Sequence, residues 1–180
     1  RANTHPLRAD LPIYLGAEGP RNVAQTTAIA DGWLPLYFNP FRPEIYADQL
    51  KDARPGFEIA PMVMVNIGDD LPKTLLPQKM ALAFYVGGMG AQEHNFHKNL
   101  MARMGYEAEA NRIQELFLAG KREEAVMAVP DRFADEISLC GPLARIKERL
   151  EALQESRATT LLLMGTGGPA MLRAIAEIAL

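Results

Sequence analysis

Cysteine is almost missing from this chain, and so are long apolar runs. The one cysteine, Cys140, excludes an internal disulfide, and such sparse use of cysteine is typical of proteins from a reducing compartment. Cys140 ends the apolar run 137–140, so we expect it to lie in the core without a catalytic role. The longest apolar runs, such as residues 80–89, fall short of the roughly 20 residues that a bilayer span needs. The sequence therefore predicts a cytoplasmic protein with no membrane partner.

An excess of charge of either sign is missing as well. The chain has 19 Lys and Arg residues and 22 Asp and Glu residues, for a formal net charge of -3, and the two signs are interleaved, as in KREE at 121–124. This balance supplies no field that would hold nucleic acid, so we expect no nucleic-acid partner. Apolar residues make up 48% of the chain and charged residues 23%, which is typical of a globular α/β protein.

What the chain does have is a segment at residues 11–33 in which the boundaries of a strand, a turn and a helix are each marked by characteristic residues. Residues 13–15 predict a short strand, the small residues at 16–19 allow a sharp turn, and Pro20 stands at the favoured first position of a helix. A helix N-terminus behind such a turn presents unpaired N–H groups, which can bind a phosphate without a basic side chain. Any strand-to-helix turn of an α/β protein has a similar pattern, so the residues alone leave both interpretations open.

Four candidate strands recur along the chain with helical patterns between them, which favours βαβ units and a parallel sheet. The predicted strands are 13–15, 32–38, 58–65 and 160–164. The predicted helices are 20–30, 43–53, 73–86, 92–104, 107–119, 122–129, 143–155 and 169–180. About ninety residues separate the last two strands, far more than a simple connection needs, so we predict a helical insertion at 69–158.

Other candidate sites carry weaker signals. A second glycine-rich turn at 165–168 follows the last predicted strand, where barrel enzymes commonly bind phosphate. His94 and His97 stand three apart on a predicted helix beside Glu93, a spacing that can direct two imidazoles to one metal. No third ligand stands at a motif spacing and the neighbouring residues are polar, so we predict a solvated helix face and no metal site. We expect no catalysis from the carboxylate pairs at 69–70 and 123–124, and we expect His5 to be exposed.

Four motifs resemble one known family. PIYLGAEGP at 12–20 and AIADGW at 28–33 resemble the second half of the luciferase-like monooxygenase superfamily. YVGGMG at 85–90 and SLCGP at 138–142 are similar to its branch that uses the deazaflavin coenzyme F420. The resemblance covers nearly the whole chain but only half of a family member. It implies an α/β fold, the C-terminal half of a (β/α)8 TIM barrel with about four βα units, as a single-domain fragment at 1–180 whose partner is the missing N-terminal half.

The same resemblance implies an oxidoreductase that transfers a hydride between F420 and a small organic substrate. Backbone groups of Gly16, Ala17, Glu18 and Gly19 would bind the cofactor phosphate, and the catalytic acid or base would lie in the missing half. Glu18 departs from the small residue often found in this turn, and its carboxylate would repel a phosphate unless it points away. Arg21 is the side chain that we expect to offset this charge.

Alternatives stay open within and beyond this family. An FMN-dependent monooxygenase of the same superfamily would use the same phosphate turn. A non-catalytic half-barrel would instead be an assembly module, with the helical insertion as a dimer surface. We expect the protein to be a homodimer. The uncharged aromatic segment 34–41 suggests an apolar or aromatic substrate, although core packing by Tyr37 and Phe38 explains it equally well.

Overall fold

A computed structural model describes residues 7–90 and 94–179, and there the chain alternates between short parallel strands and helices. The strands are β1 (Tyr14–Gly16), β2 (Gly32–Leu34), β3 (Glu58–Ile59), β4 (Met62–Ile67), β5 (Ser138–Gly141) and β6 (Leu162–Met164). They form two three-stranded sheets, in the orders β1-β2-β3 and β5-β4-β6, and every pair is parallel. The predicted α/β class with parallel strands is therefore confirmed.

One stretch of chain belongs to both sheets, because only Ala60 and Pro61 separate β3 from β4. Proline has no N–H to donate, and the strand is interrupted there. Backbone hydrogen bonds still cross the break: Met62 N–H donates to the Pro35 carbonyl over 3.1 Å, and Leu162 N–H donates to the Pro61 carbonyl over 2.9 Å. As a result β1, β2, the β3–β4 segment and β6 lie side by side in chain order.

The predicted strands were found in the right places, but their number and some boundaries were wrong. The strand predicted at 32–38 ends at Leu34, and the one predicted at 58–65 is split at the proline. β5 was not predicted at all, although its four residues are buried and it pairs with β4. It lies inside the segment 69–158, for which the sequence predicted a helical insertion and connection without a strand. A buried run of four residues shows no alternation of apolar and polar positions, so periodicity does not reveal it.

The helices agree with the prediction to within a few residues at most boundaries. They are α1 (Pro20–Ile29), α2 (Glu44–Leu50), α3 (Leu71–Gly88), α4 (Phe96–Met101), α5 (Glu107–Leu118), α6 (Arg122–Met127), α7 (Asp131–Glu136), α8 (Leu143–Glu155) and α9 (Gly168–Ala179). A π-helical turn (Ala102–Tyr106) joins α4 to α5, and the chain bends at Gly105, whose φ of 89° favours glycine. Helix α7 was not predicted, and the start of the helix predicted at 92–104 lies outside the described residues. Over the part of the chain that the structure describes, no helix is long and apolar enough to cross a membrane.

Helices cover one face of the strands and leave the other partly open. Val63 and Val65 of β4 are 3% and 2% exposed, whereas Met62 and Met64, which alternate with them, are only half-buried. Leu162, the partner of Met62 in the parallel register, is 40% exposed. We call this side the open sheet face and define it by four residues, Leu34, Met62, Met64 and Leu162. An apolar face of this kind is a surface that another part of a protein commonly covers.

The loop after β2 is fixed by a buried polar network that reaches α7. Asn39, which is fully buried, donates from Nδ2 to Glu136 Oε2 over 2.9 Å. The same carboxylate accepts from Arg42 Nε over 3.2 Å and from Arg132 Nε over 2.9 Å. The side chain of Glu136 is only 8% exposed, so its charge is held by three donors away from solvent. This carboxylate therefore connects parts of the chain that are nearly one hundred residues apart.

We expect Glu136→Gln to lower the free energy of unfolding by roughly 1–3 kcal/mol at neutral pH, because an amide loses the charge-assisted hydrogen bonds. Burial acts to raise the pKa of Glu136, but the hydrogen bonds from Asn39, Arg42 and Arg132 outweigh it, so the pKa in the folded protein is lowered. The contribution of the Glu136 carboxylate to the free energy of unfolding is thus complete above the ordinary carboxyl pKa of 4.5. It is lost as the pH falls through the pKa that Glu136 has in the folded protein.

Urea unfolding followed by circular dichroism, in steps from neutral pH to about pH 3.5, measures this difference. The matched control is Glu115→Gln, since Glu115 is 69% exposed and pairs only with Arg112 one turn away. We expect the control to change stability by no more than about 0.5 kcal/mol. A loss in Glu136→Gln that stays constant as the pH falls would contradict the assigned role of the carboxylate.

Candidate functional site

The turn between β1 and α1 ends in an uncapped helix N-terminus. Gly16 is the last residue of β1, and Gly19 precedes α1 in an extended conformation (φ -69°, ψ 141°) without a side-chain cap. Pro20 takes the first helical position, and the first hydrogen bond of the helix is the one from Val23 N–H to the Gly19 carbonyl. The N–H groups of the first turn, including that of Asn22, have no acceptor within the helix, so the turn carries partial positive charge.

The turn forms one wall of a cleft of about 450 Å³ at the carboxyl ends of β1 and β2. α4 lies beside the turn and also lines the cleft, and the ring of its first residue, Phe96, is 58% exposed. The lining residues are Gly16, Ala17, Glu18, Gly19, Asn22, Leu34, Leu36, Met62, Phe96 and His97. Most of these side chains are apolar, and two of them, Leu34 and Met62, belong to the open sheet face. The cleft therefore offers backbone N–H groups at one end and apolar walls elsewhere.

Trp33 fixes the turn from the core side. Its side chain is 1% exposed, and its indole Nε1–H donates to the Ala17 carbonyl over 2.8 Å. The ring packs edge-on against Tyr46 at 5.3 Å and Phe38 at 6.3 Å between ring centroids. One hydrogen bond thus joins the backbone of the turn to the aromatic part of the core.

Glu18 is held at both its side chain and its backbone by residues from the helical insertion. Its Oε2 lies 2.7 Å from Nδ1 of His97 on α4, and the two side chains are only 12% and 17% exposed. Arg103, in the π-helical turn, donates from Nη2 to the Glu18 carbonyl over 2.8 Å. The Glu18 carboxylate consequently faces α4 and contacts the imidazole of His97.

Two tyrosine rings surround His97. Tyr85 lies edge-on at 4.8 Å and Tyr37 at 5.9 Å between ring centroids. Burial strongly raises the pKa of Tyr37, and the charges of Glu18 and Tyr85 raise it further. Tyr37 therefore stays protonated at any ordinary pH and cannot act as a base.

The structure brings all four predicted site residues, Gly16, Ala17, Glu18 and Gly19, to one wall of the cleft. Arg21, predicted to offset the charge of Glu18, is exposed and does not line the cleft, because it lies on the outer side of α1. The group that contacts the carboxylate is His97 instead. Tyr37 and Phe38 are each 5% exposed and belong to the core, whereas Phe41 at the end of the same aromatic segment is 45% exposed.

The weaker candidates lie apart from the cleft. Thr166 and Gly167 of the second glycine-rich turn line a separate pocket of about 290 Å³ beside β4. Asp70 caps α3, since its Oδ1 accepts from Lys73 N–H over 3.1 Å. Within residues 7–90 and 94–179, no three His, Cys, Asp or Glu side chains are grouped as metal ligands would be. His5 and Glu93 lie outside the described residues.

Sequence reasoning missed the contribution of α4. The helix face around His94 and His97 was predicted to be solvated, and this is correct for His94, which is exposed, and wrong for His97. Asn95 is 1% exposed, so the polar residues here do not mark a surface. An Asn at a helix start is the one signal that was available, because it is a favoured capping residue.

Comparison with known proteins connects this geometry to one family. The sequence matches the family described as luciferase-like monooxygenase over residues 1–160. It is 38% identical over 97% of its length to a protein of Mycobacterium tuberculosis whose assigned role is that of a coenzyme F420-dependent oxidoreductase. It is 25% identical over 93% of its length to the 5,10-methylenetetrahydromethanopterin reductase of Methanopyrus kandleri.

A solved structure shares the fold. The coenzyme F420-dependent tetrahydromethanopterin reductase from Methanopyrus kandleri aligns with 94% of this chain at a TM-score of 0.68 and 23% identity, and the match covers 49% of that protein. The two relatives are covered over 53% and 48% of their lengths. The chain therefore spans about half the length of the proteins that it matches.

We expect Trp33→Phe to lower the free energy of unfolding by roughly 2–4 kcal/mol, because it removes a buried hydrogen bond and leaves a cavity. Urea unfolding followed by circular dichroism measures the change, since Trp33 is the only tryptophan and its fluorescence is lost. Ile29→Val, at the end of α1 on a side chain that is 68% exposed, is the control and should change stability by less than about 1 kcal/mol. An unfolding free energy equal to that of the wild type would show that Trp33 does not stabilise the turn.

Proposed function

Because the chain belongs to the luciferase-like monooxygenase family, we propose that it forms part of an oxidoreductase that transfers a hydride between coenzyme F420 and a small organic substrate. The name of the Mycobacterium tuberculosis relative supports F420 as the cofactor. The observation that carries the proposal is the cleft built on Gly16, Ala17, Glu18 and Gly19, which places an uncapped helix N-terminus beside apolar walls.

The turn fits a phosphate-bearing cofactor. A Cβ added at Gly16 would approach nothing nearer than the Leu34 carbonyl at 3.9 Å, and one at Gly19 nothing nearer than the Phe96 ring at 3.8 Å. Small residues thus keep this wall open, and the N–H groups at the start of α1 are the donors that phosphate oxygens need. The backbone of residues 16–19 would bind the phosphate, with Asn22 at the edge of the same cleft.

In the proposed enzyme, the deazaflavin ring supplies the hydride chemistry at its C5 atom. The residues of this chain bind and orient the tail of the cofactor. Leu34, Leu36 and Phe96 exclude water from the cleft through their apolar side chains. Trp33 fixes the Ala17 carbonyl, and with it the direction of the neighbouring N–H groups. We assign no catalytic acid or base to the chain, and we propose that this residue lies in the other half of the protein.

We further propose that β1, β2, the β3–β4 segment and β6 are four neighbouring strands of a (β/α)8 barrel. Their parallel pairing in chain order supports this, since successive strands of such a barrel are neighbours. The N-terminal half of the barrel would cover the open sheet face. Apolar side chains on the outer surface of α3, such as Met80 and Phe84, support a homodimer formed through the insertion.

The cofactor is tested by a fluorescence titration of the full-length protein with F420 and, under the same conditions, with FMN. We expect binding of F420 at micromolar concentration and no binding of FMN, because the relative of highest identity described above is assigned to F420. Binding of FMN alone would identify an FMN-dependent monooxygenase. Binding of neither would leave the non-catalytic half-barrel, an assembly module, as the better description.

The role of the turn is tested by Gly16→Val, which places two methyl groups in the cleft. We expect F420 to bind at least about tenfold more weakly, while the Tm changes by less than about 5 °C because nothing crowds this Cβ position. Ala47→Val on the exposed surface of α2 is the matched control and should change neither quantity. Unchanged affinity in Gly16→Val would remove the turn from the binding site.

A further inference from the structure

A carboxylate stands where the proposed function requires an anion to bind. Glu18 belongs to the turn itself and lines the cleft, with its side chain only 12% exposed. In a setting with an effective dielectric constant of about 20, a second negative charge about 6 Å away would weaken binding roughly a hundredfold. The turn can accept a phosphate only if something offsets this charge.

We propose that His97 is the positioning residue that makes the turn competent to bind a phosphate, by holding the Glu18 carboxylate against α4 and compensating its charge. The inference rests on the proposed function. Nδ1 of His97 lies 2.7 Å from Oε2 of Glu18, which is an ion-pair distance, and both atoms are buried without a hydrogen-bond partner among the described residues. Among the described residues that line the cleft, His97 is the one whose side chain can be positively charged.

The anchored start of α4 fixes the position of His97. Asn95 caps this helix, since its Oδ1 accepts from Lys98 N–H over 2.9 Å. The amide of Asn95 also donates to the carbonyls of Val86 and Tyr85, over 2.8 and 3.0 Å, at the end of α3. The first turn of α4 is thereby anchored to the body of the protein, and the imidazole is carried to the cleft.

Three titratable or charged side chains from the surrounding elements face this pair or bind its backbone. Tyr37 comes from the loop after β2, Tyr85 from α3, and Arg103 from the π-helical turn. Both tyrosines present their rings edge-on to the imidazole, and Arg103 binds the backbone carbonyl of Glu18. His97 is therefore the side chain in direct contact with the carboxylate.

The test is a set of titrations of the full-length protein at neutral pH. Two probes are compared, F420 and the same deazaflavin without its phosphate-bearing tail. We expect His97→Gln to weaken F420 binding at least about tenfold and to change binding of the tailless ligand less than about twofold. His94→Gln is the matched control, because His94 is exposed three residues away, and it should change neither affinity.

Variants without the Glu18 carboxylate distinguish an electrostatic effect of His97 on F420 binding from a structural one. We expect Glu18→Gln to bind F420 at least as tightly as the wild type, and the double variant with His97→Gln to recover to within about threefold of it. Thermal unfolding of each variant identifies any variant that fails to fold. If His97→Gln fails to fold, Glu18→Gln alone still tests the inference, because weaker F420 binding by Glu18→Gln would overturn it.

The remaining outcomes distinguish a failure of this inference from a failure of the proposed function. Unchanged F420 affinity in His97→Gln, an equal loss for both probes, or no recovery in the double variant would each overturn the role of His97 while leaving the proposed function intact. A wild-type protein that does not bind F420 would overturn the proposed function, and the inference with it.

Discussion

The indole of Trp33 gives one hydrogen bond, to the Ala17 carbonyl, and the geometry of the cleft depends on it. A buried tryptophan needs a partner for its N–H, and here that partner is the backbone of the turn. The register of the sheet places Leu15 beside Trp33, so correct pairing of β1 with β2 and correct shaping of the turn occur together. Because Trp33 also packs against Tyr46, the hydrogen bond fixes the turn relative to the aromatic core.

Local chemistry explains why the turn was predictable from the sequence. Glycines around Ala17, a proline at the first helical position and a short apolar strand before them each act within a few residues, so a single sequence records them. Helices α5 and α8 were predictable for the same reason, because Gly105 and Gly120 stand at the two ends of α5 and Gly141 and Pro142 precede α8. The fold agreed with the prediction where near neighbours in the chain determine the structure.

Distant contacts explain what the sequence did not show. β5 is a strand because β4 offers it a parallel edge, and its own residues would suit any buried segment. His97 lies in the cleft because Asn95 anchors α4 to the carbonyls at the end of α3, and the polar neighbours of His97 suggested the opposite. Where tertiary packing overrides local pattern, a single sequence contains no record of the outcome.

The cleft is lined by parts of the chain that are far apart, and Arg103 reaches the Glu18 carbonyl across 85 positions. Closing so long a loop has an entropic cost, and folds rich in such contacts form slowly. During synthesis the strand, turn and helix that end at Ile29 leave the ribosome before α4 has been made. The residues of the turn and of α1 are thus synthesised before those of the helix that completes the cleft, and the order of translation limits the order in which the cleft can assemble.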